Sequence, residues 1–454
     1  MTIRMPDPEF GHSSQRPLSE RPKYEPGELI FKLRQDQATR PSGTRGLSPA
    51  RRNPDPRPGD LSDVLSFLQR NAGLELESVT PLFQRSRTRS GLRPARRSPS
   101  GPAGLVDPDS AVTPRLAGIF HARLDERALT PALIRKLNKD PRFEYVERIP
   151  TVWFDGAAAA QSSTVDPMSN VQWGLRAIRW FQANRPDASE VGVAVLDSGL
   201  DRHHPDFRGT NLAYEHFHSS PDDHDGHGTH VAGVVAADVN TRAGATGIVQ
   251  CPIFAFKIMR DHPSIGGGEF TIVLDAIQRC LEIPMIRVVN MSFSTGEKSQ
   301  AFRDAVESLA AANKVVVAAA GNHFTEGNPT VYPAAYPTVI AVGAVDAAGA
   351  RGAFSCTGPH VALVAPGVGV VSTVPRKPHF RTTQTHYAAL NGTSMAAPHV
   401  SAAVALLLAK HADLTPEQVR DRLVKSARRL PGMPKTGRTD ELGYGLLDLE
   451  RLLQ

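Results

Sequence analysis

The sequence predicts an α/β protein, a doubly wound parallel sheet preceded by a small α+β domain. Three observations carry that expectation. From about residue 165 onward, short apolar runs at 191–196, 253–259, 286–291, 314–319 and 339–342 alternate with helical patterns, as parallel strands covered on both faces by helices do. The stretch 391–411, NGTSMAAPHVSAAVALLLAKH, is apolar on every face of a helix and must be buried. The first third orders its elements β-α-β-β-α-β, the pattern of a small antiparallel sheet with two helices on one face.

In that first third, strands are expected at 28–33 (ELIFKL), 74–83, 116–124 (LAGIFHARL) and 143–154 (FEYVERIPTVWF). Helices are expected at 61–71, with Leu61, Val64, Leu65 and Leu68 on one face, and at 130–139. Two Pro/Arg/Ser/Gly-rich stretches, 38–59 and 85–114, interrupt them without apolar periodicity and read as disordered insertions. Residues 1–164 carry 26 Lys and Arg against 19 Asp and Glu, and the remainder 26 against 27. The net charge of +6 therefore belongs to the first third, and much of it to the insertions. Solvated insertions explain it better than a nucleic-acid surface, although they offer a partner something to hold. Residues 155–167, DGAAAAQSSTVDP, read as a linker open to proteolysis.

No apolar run approaches 18 residues, so no membrane span is expected. The amino-terminal MTIRMPDPEFGHSSQRP lacks the apolar centre of a signal peptide. It points to the cytoplasm, or to secretion or the periplasm if the chain starts further upstream. Cys251, Cys280 and Cys356 are scattered and odd in number, with no disulfide framework.

In open α/β sheets the site lies at the carboxyl ends of the strands. The first strand ends at Asp197-Ser198-Gly199, where the carboxylate forms a turn or orients a base. The segment DDHDGHGTHVAGVVAAD follows, with His224, His227 and His230 at intervals of three. With His203, His204, His216 and His218 upstream they could form a metal site. Alternatively His227, opening a helix introduced by Gly226, is a general base oriented by Asp197. The carboxylate of an HExxH motif is missing. Later strands end in VVNMSFS and AAAGN, so Asn322 is a turn residue or a donor to an oxyanion. Ser394 sits in the first turn of the apolar helix after Asn391-Gly392-Thr393, as a cap or as a nucleophile. Pro398, four residues on, has no N–H and so frees the Ser394 carbonyl.

VAVLDSGLDRHHPDF, DGHGTHVAGVVAA, VVNMSFS, VVVAAAGN and LNGTSMAAPHVSAAVALLL, in this order, resemble the signature segments of subtilisin-like serine proteases. GYGLLDLERLLQ resembles their closing segment. The resemblance implies a subtilisin-like fold over 168–454 and a serine endopeptidase acting on proteins and peptides. It implies Asp197 as orienting carboxylate, His227 as base, Ser394 as nucleophile, and Asn322 with the Ser394 N–H as oxyanion hole. It assigns substrate contacts to Gly266, Gly267, Gly268, Ser292, Phe293, Ser294, Ala320 and Gly321, with Phe270 and Phe293 lining a distal apolar pocket. Ser294 stands where the family usually has glycine, which puts close backbone approach there in question. Val331 falls near a glycine position at the base of the primary pocket, implying a preference for small or medium apolar residues before the cut.

No cofactor is implied for the chemistry, and a structural calcium is implied at Asp206 and Asn240. The first third resembles the family's inhibitory propeptide. This divides the chain into a disordered segment 1–23, a propeptide 24–154 containing the two insertions, a processing region 155–167 and the catalytic domain. The propeptide would inhibit within its own chain by lying in the cleft, with Ala157 to Ala160 offered to it. Two rivals remain distinguishable. A metal hydrolase built on the histidines would be sensitive to chelators, and a scaffold using the basic insertions would bind nucleic acid without proteolysis.

Overall fold

The computed structural model describes residues 22–34, 68, 76–83, 115–153, 172–217, 220–238, 244–259, 267–268, 270–375 and 386–454. Both insertions, the linker 155–167 with Ala157 to Ala160, most of the segment 1–23 and most of the helix expected at 61–71 lie outside them. Leu68 alone represents that helix, in helical conformation and buried.

The first third forms a four-stranded antiparallel sheet from β1 (Tyr24–Leu33), β2 (Leu76–Pro81), β3 (Ile119–Leu124) and β4 (Phe143–Pro150), in the order β2-β3-β1-β4. Side chains alternate across its faces. Leu29, Phe31 and Leu33 join Phe120, Leu137 and Phe143 in the domain's own core. Helix α1 (Pro131–Leu137) covers that side, with Thr130 accepting from the Leu133 N–H and Pro131 in the first turn. Ile30 faces the opposite way and joins Tyr145, Ile149, Phe270 and Phe302 in a cluster shared with the larger domain. A two-residue strand, β5 (Val152–Trp153), ends the described part of this domain.

The larger domain is a seven-stranded parallel sheet. Its strands are β6 (Gly192–Asp197), β7 (Leu212–His216), β8 (Ile253–Lys257), β10 (Ile286–Met291), β11 (Val315–Ala319), β12 (Val339–Val345) and β13 (Val361–Pro366); β9 (Gly267–Gly268) lies apart. The order is β13-β12-β11-β10-β6-β8-β7. Five of these strands match the predicted apolar runs to within a few residues. The edge strands β7 and β13 do not appear among the predicted runs. Glu215 and His216 make β7 half polar, and β13 ends in Pro366, which an edge tolerates. A hairpin of β14 (Val370–Thr373) and β15 (Tyr387–Leu390) leads into the buried helix.

Alternation again sorts the strand residues. Val315, Val317 and Ala319 pack on one side with α3 (His227–Ala236), α6 (Thr393–Lys410), α7 (Pro416–Ser426) and α8 (Leu449–Leu452). A short α2 (Trp173–Ala177) also contributes there. Val316 and Ala318 pack on the other side with α4 (Phe270–Glu282) and α5 (Gln300–Ala311). Helices cover both faces, as predicted, and α6 is buried from Thr393 to Leu408. Strand β6 lies between β8 and β10; the chain passes from β6 to the edge strand β7, returns to β8 and then crosses β6 to β10, so the crevice opens where the strand order reverses.

The small domain docks on α4 and α5 through more than apolar area. Glu147 accepts from Ser299 Oγ at 2.7 Å and from the N–H groups of Gln300 and Ala301 at 2.9 and 3.0 Å, capping α5 from another domain. Burial raises the Glu147 pKa, and those three donors offset it only in part. Lys32 reaches Asp304 at 3.3 Å, and Tyr24 donates to Glu297 at 3.1 Å.

Candidate active site

Asp197 ends β6, where the Ser198 N–H donates to its Oδ1 at 2.7 Å. His227 Nδ1 lies 2.7 Å from the same oxygen. His227 opens α3 because Gly226, at φ +90°, turns the chain in a conformation other residues resist. Burial pulls the imidazole down, but the Asp197 carboxylate, with Asp225 and Asp223 beyond it, outweighs burial and holds its pKa up at about 9. Asp197 is thus no mere turn former.

The other histidines of the segment are engaged elsewhere. His224 pairs with Ser220 Oγ at 2.9 Å. His230 Nε2 reaches the carbonyls of Val370 and Ala388 at 2.9 and 3.1 Å, pinning α3 to the β14–β15 hairpin. Burial drops its pKa to about 3, so it stays neutral. Among the described residues no three His, Cys, Asp or Glu side chains gather to hold a metal ion; the rings of His224 and His230 face a hydroxyl and backbone carbonyls instead, and His218 lies outside the described residues.

Asp223, which sequence reasoning passed over, organises this corner. Its Oδ1 accepts from Ser198 Oγ and the Gly226 N–H at 2.9 and 2.8 Å, and its Oδ2 from Thr229 N–H and Oγ1 at 3.0 and 2.6 Å. One buried carboxylate thus ties the end of β6 to the first turn of α3. An acidic residue just before a glycine-introduced helix was the available signal.

Ser394 is the second residue of α6. Gly392 precedes the helix with no side-chain cap, so the cap reading of Ser394 fails, and its N–H belongs to the unpaired first turn. Its hydroxyl donates to the Ser292 carbonyl at 3.1 Å. Helix α6 packs on α3, which His227 opens, and on β10 and β11, whose following residues Ser292 and Asn322 meet its amino-terminal end. Asn322 Oδ1 accepts from Thr393 N–H and Oγ1, both at 2.9 Å. This leaves its amide nitrogen as the donating end of the side chain, close beside Gly392. Thr393 Oγ1 also accepts from the Gly321 N–H at 3.1 Å. Thr393, read from the sequence only as part of the turn before the helix, is a second positioning residue.

The decisive feature is what occupies the crevice. Strand β5 of the small domain pairs antiparallel with β9, Val152 opposite Gly268 and Trp153 opposite Gly267. On its other side Trp153 exchanges both backbone hydrogen bonds with Ser294, at 2.7 and 2.9 Å. The two edges assigned to a substrate backbone hold a strand between them. Ser294 does not obstruct close approach, a correction to the doubt raised by its side chain. Gly266 lies outside the described residues.

A model of the subtilase family, peptidase S8, matches residues 188–445. The chain belongs to the subtilase family. Subtilisin E of Bacillus subtilis strain 168 is 35% identical over 341 residues, covering 73% of this chain and 80% of that protein. The thermostable alkaline protease of Halalkalibacterium halodurans is 34% identical over 341 residues, covering 74% and 83%. These spans exceed the larger domain, so the similarity reaches into the small one. Among solved structures, fervidolysin of Fervidobacterium pennivorans, described as keratinolytic, superposes with a TM-score of 0.66 at 22% identity. The match covers 95% of this chain and 61% of fervidolysin, and shows the fold. As a subtilase, the protein is a serine endopeptidase.

The remaining expected subtilase positions separate. Phe270 and Phe293 flank Phe302, edge-on at 5.5 Å and stacked at 6.4 Å, in the apolar cluster that also takes Val152. Ala320 is buried, its N–H bonded to Val342. Gly321, at φ +102°, sits over Val331 and Cys356, and a Cβ there would meet them at 2.9 and 3.1 Å. Asp206 is buried, accepting from the Ala245 N–H at 2.8 Å and Tyr387 Oη at 3.1 Å. Each Asp206 oxygen accepts one of these bonds and keeps a second lone pair, and the loop that carries Asn240 lies outside the described residues.

Proposed function

We propose that Asp197, His227 and Ser394 form the catalytic triad of this subtilase, that Asn322 and the Ser394 N–H form its oxyanion hole, and that the small domain is its inhibitory propeptide. The strand Val152–Trp153, seated between Gly267–Gly268 and Ser294, is the observation that carries this reading. A main-chain clamp on both sides of an extended segment is how a protease holds a peptide irrespective of side chains.

In the reaction the Ser394 hydroxyl leaves the Ser292 carbonyl, gives its proton to His227 Nε2 and bonds to the scissile carbonyl carbon. The carbonyl oxygen takes the electron pair and is met by Asn322 Nδ2 and the Ser394 N–H. The imidazolium, paired with Asp197, then protonates the leaving amine, and water repeats the sequence on the ester. In subtilisin, the protein on which the effect was measured, removing one such oxyanion donor costs about 3 to 4 kcal/mol. No step uses a metal, and Asp206 serves this scheme as a hydrogen-bonded anchor.

Antiparallel register locates the cut. An extended chain paired with Ser294 as Trp153 is brings its next-but-one residue opposite Ser292, whose carbonyl receives the Ser394 hydroxyl. In this sequence that residue is Asp155. Purified full-length chain followed by mass is expected to release a fragment ending at Asp155, and a parallel sample treated at once with a serine-directed covalent probe is expected to label at Ser394 and stay uncut. A fragment ending within 157–160 would overturn the register and favour the small residues there; no label at Ser394 would sink the nucleophile assignment.

Val331 beneath Gly321 supports a shallow primary pocket, and Asp155, compact but charged, would make the propeptide a slow substrate and lasting inhibitor. In a peptide library, Ala or Leu before the cut should be favoured over Phe or Tyr several-fold, since a branched side chain in an apolar pocket discriminates by about 1 to 3 kcal/mol. Faster cleavage after Phe or Tyr would refute the pocket reading.

A further inference from the structure

We infer that Ser292, held by Asn290 and Ser401, positions the nucleophile by filling the hydrogen bond that Pro398 leaves open. The inference rests on the assignment of Ser394 as nucleophile. Within α6 the Ser394 carbonyl would ordinarily accept from the N–H four residues on, and Pro398 has none. The Ser292 hydroxyl donates to that carbonyl at 2.9 Å. With its one proton directed there, the Ser292 oxygen can only accept, and Asn290 Nδ2 donates to it at 2.9 Å. The Asn290 amide is thereby oriented with its oxygen free to accept, and Ser401 Oγ donates to that oxygen at 2.8 Å.

Ser401 lies seven residues after Ser394 on the same helix, two turns further along the same face. The bonds therefore close a ring, from α6 through the end of β10 and back to α6, with every proton direction settled. Asn290, Ser292 and Ser401 are 0% exposed and Ser394 is 1% exposed, so water cannot substitute for a missing member. The end of β10 also carries the Ser292–Ser294 edge that clamps the strand in the crevice. Nucleophile and substrate edge are thus fixed to each other as one body. A displacement of about 1 Å between reacting groups costs about 100-fold in rate.

The test uses Ser292→Ala, Ser401→Ala and Pro398→Ala in the full chain, with removal of the amino-terminal fragment and turnover of a peptide ester as readouts. Processing within one chain requires no substrate capture, so its rate reports alignment. Ser292→Ala is expected to slow processing and kcat by about 10- to 100-fold while KM stays within about three-fold. Ser292→Thr, which keeps the hydroxyl, should recover most of the rate. Ser401→Ala should cost less, and its combination with Ser292→Ala little more than Ser292→Ala alone. Pro398→Ala returns an N–H to the Ser394 carbonyl, so Ser292→Ala should cost several-fold less on that background. Equal costs with and without Pro398, or a lowered Tm with wild-type processing and kcat, would overturn the inference. Failure of the wild-type chain to label at Ser394 would instead remove the assignment on which it rests.

Discussion

Replacing Ser394 with alanine is expected to leave the chain uncut and to lower turnover of a peptide ester by about 10⁴-fold or more. The nucleophile is lost, while Asn322 and the backbone donor remain, so a residual rate above that of water alone should persist. The fold should hold. Thr393 keeps its bonds to Asn322 and Gly321, the ring through Ser292, Asn290 and Ser401 uses the Ser394 carbonyl, and alanine favours helix. Among the described residues, the side-chain bond removed is the one to the Ser292 carbonyl. Mass analysis should find Ser394→Ala intact under conditions where wild type loses its amino-terminal fragment. A Ser394→Ala chain that still processed itself, free of contaminating protease, would show that another residue attacks.

The sequence disclosed the larger domain's architecture because its strands are buried on both faces and read as continuous apolar runs. The strands it hid are the edges, where β7 mixes Glu215 and His216 into its pairing and β13 ends at Pro366. The proposed triad positions were legible because Asp197, His227 and Ser394 each lie within a long motif in fixed order. The residues that hold them were not. Asp223, Thr393, Asn290 and Ser401 act through bonds between segments distant in the chain, and such bonds leave no periodicity. Pro398 was the exception. Its missing N–H announced an open carbonyl from sequence alone, and the structure supplies Ser292 as the donor. The strand in the crevice shows the opposite limit: Val152 and Trp153 occupy its described edges, a register that only pairing could reveal, while Ala157 to Ala160, which the sequence offered for the cleft, lie outside the described residues.

Asp197→Asn should lower kcat/KM by about 10⁴-fold and move the acid limb of the pH profile to lower pH. Catalysis needs neutral His227, and its pKa is held up at about 9 by Asp197 against burial. Wild-type activity should therefore climb with pH above the ordinary imidazole value of 6.5. Without the carboxylate, burial governs and the imidazole loses its proton at lower pH, yet an amide no longer enforces the tautomer that presents Nε2 as base. The same pair makes a claim on stability, and its sign is opposite. A histidine whose folded pKa exceeds its unfolded one stabilises the fold fully below the unfolded value, and that contribution is lost as pH rises through the folded value. Between pH 6.5 and about 9, the Asp197–His227 pair should thus give up stability as the enzyme gains activity. Thermal unfolding in a Ser394→Ala background, which prevents autolysis, reads the stability arm. Its Tm should fall across that window more steeply with Asp197 than with Asp197→Asn. Parallel slopes would mean that Asp197 does not govern the imidazole, and the assignment of His227 as the base it orients would fall with it.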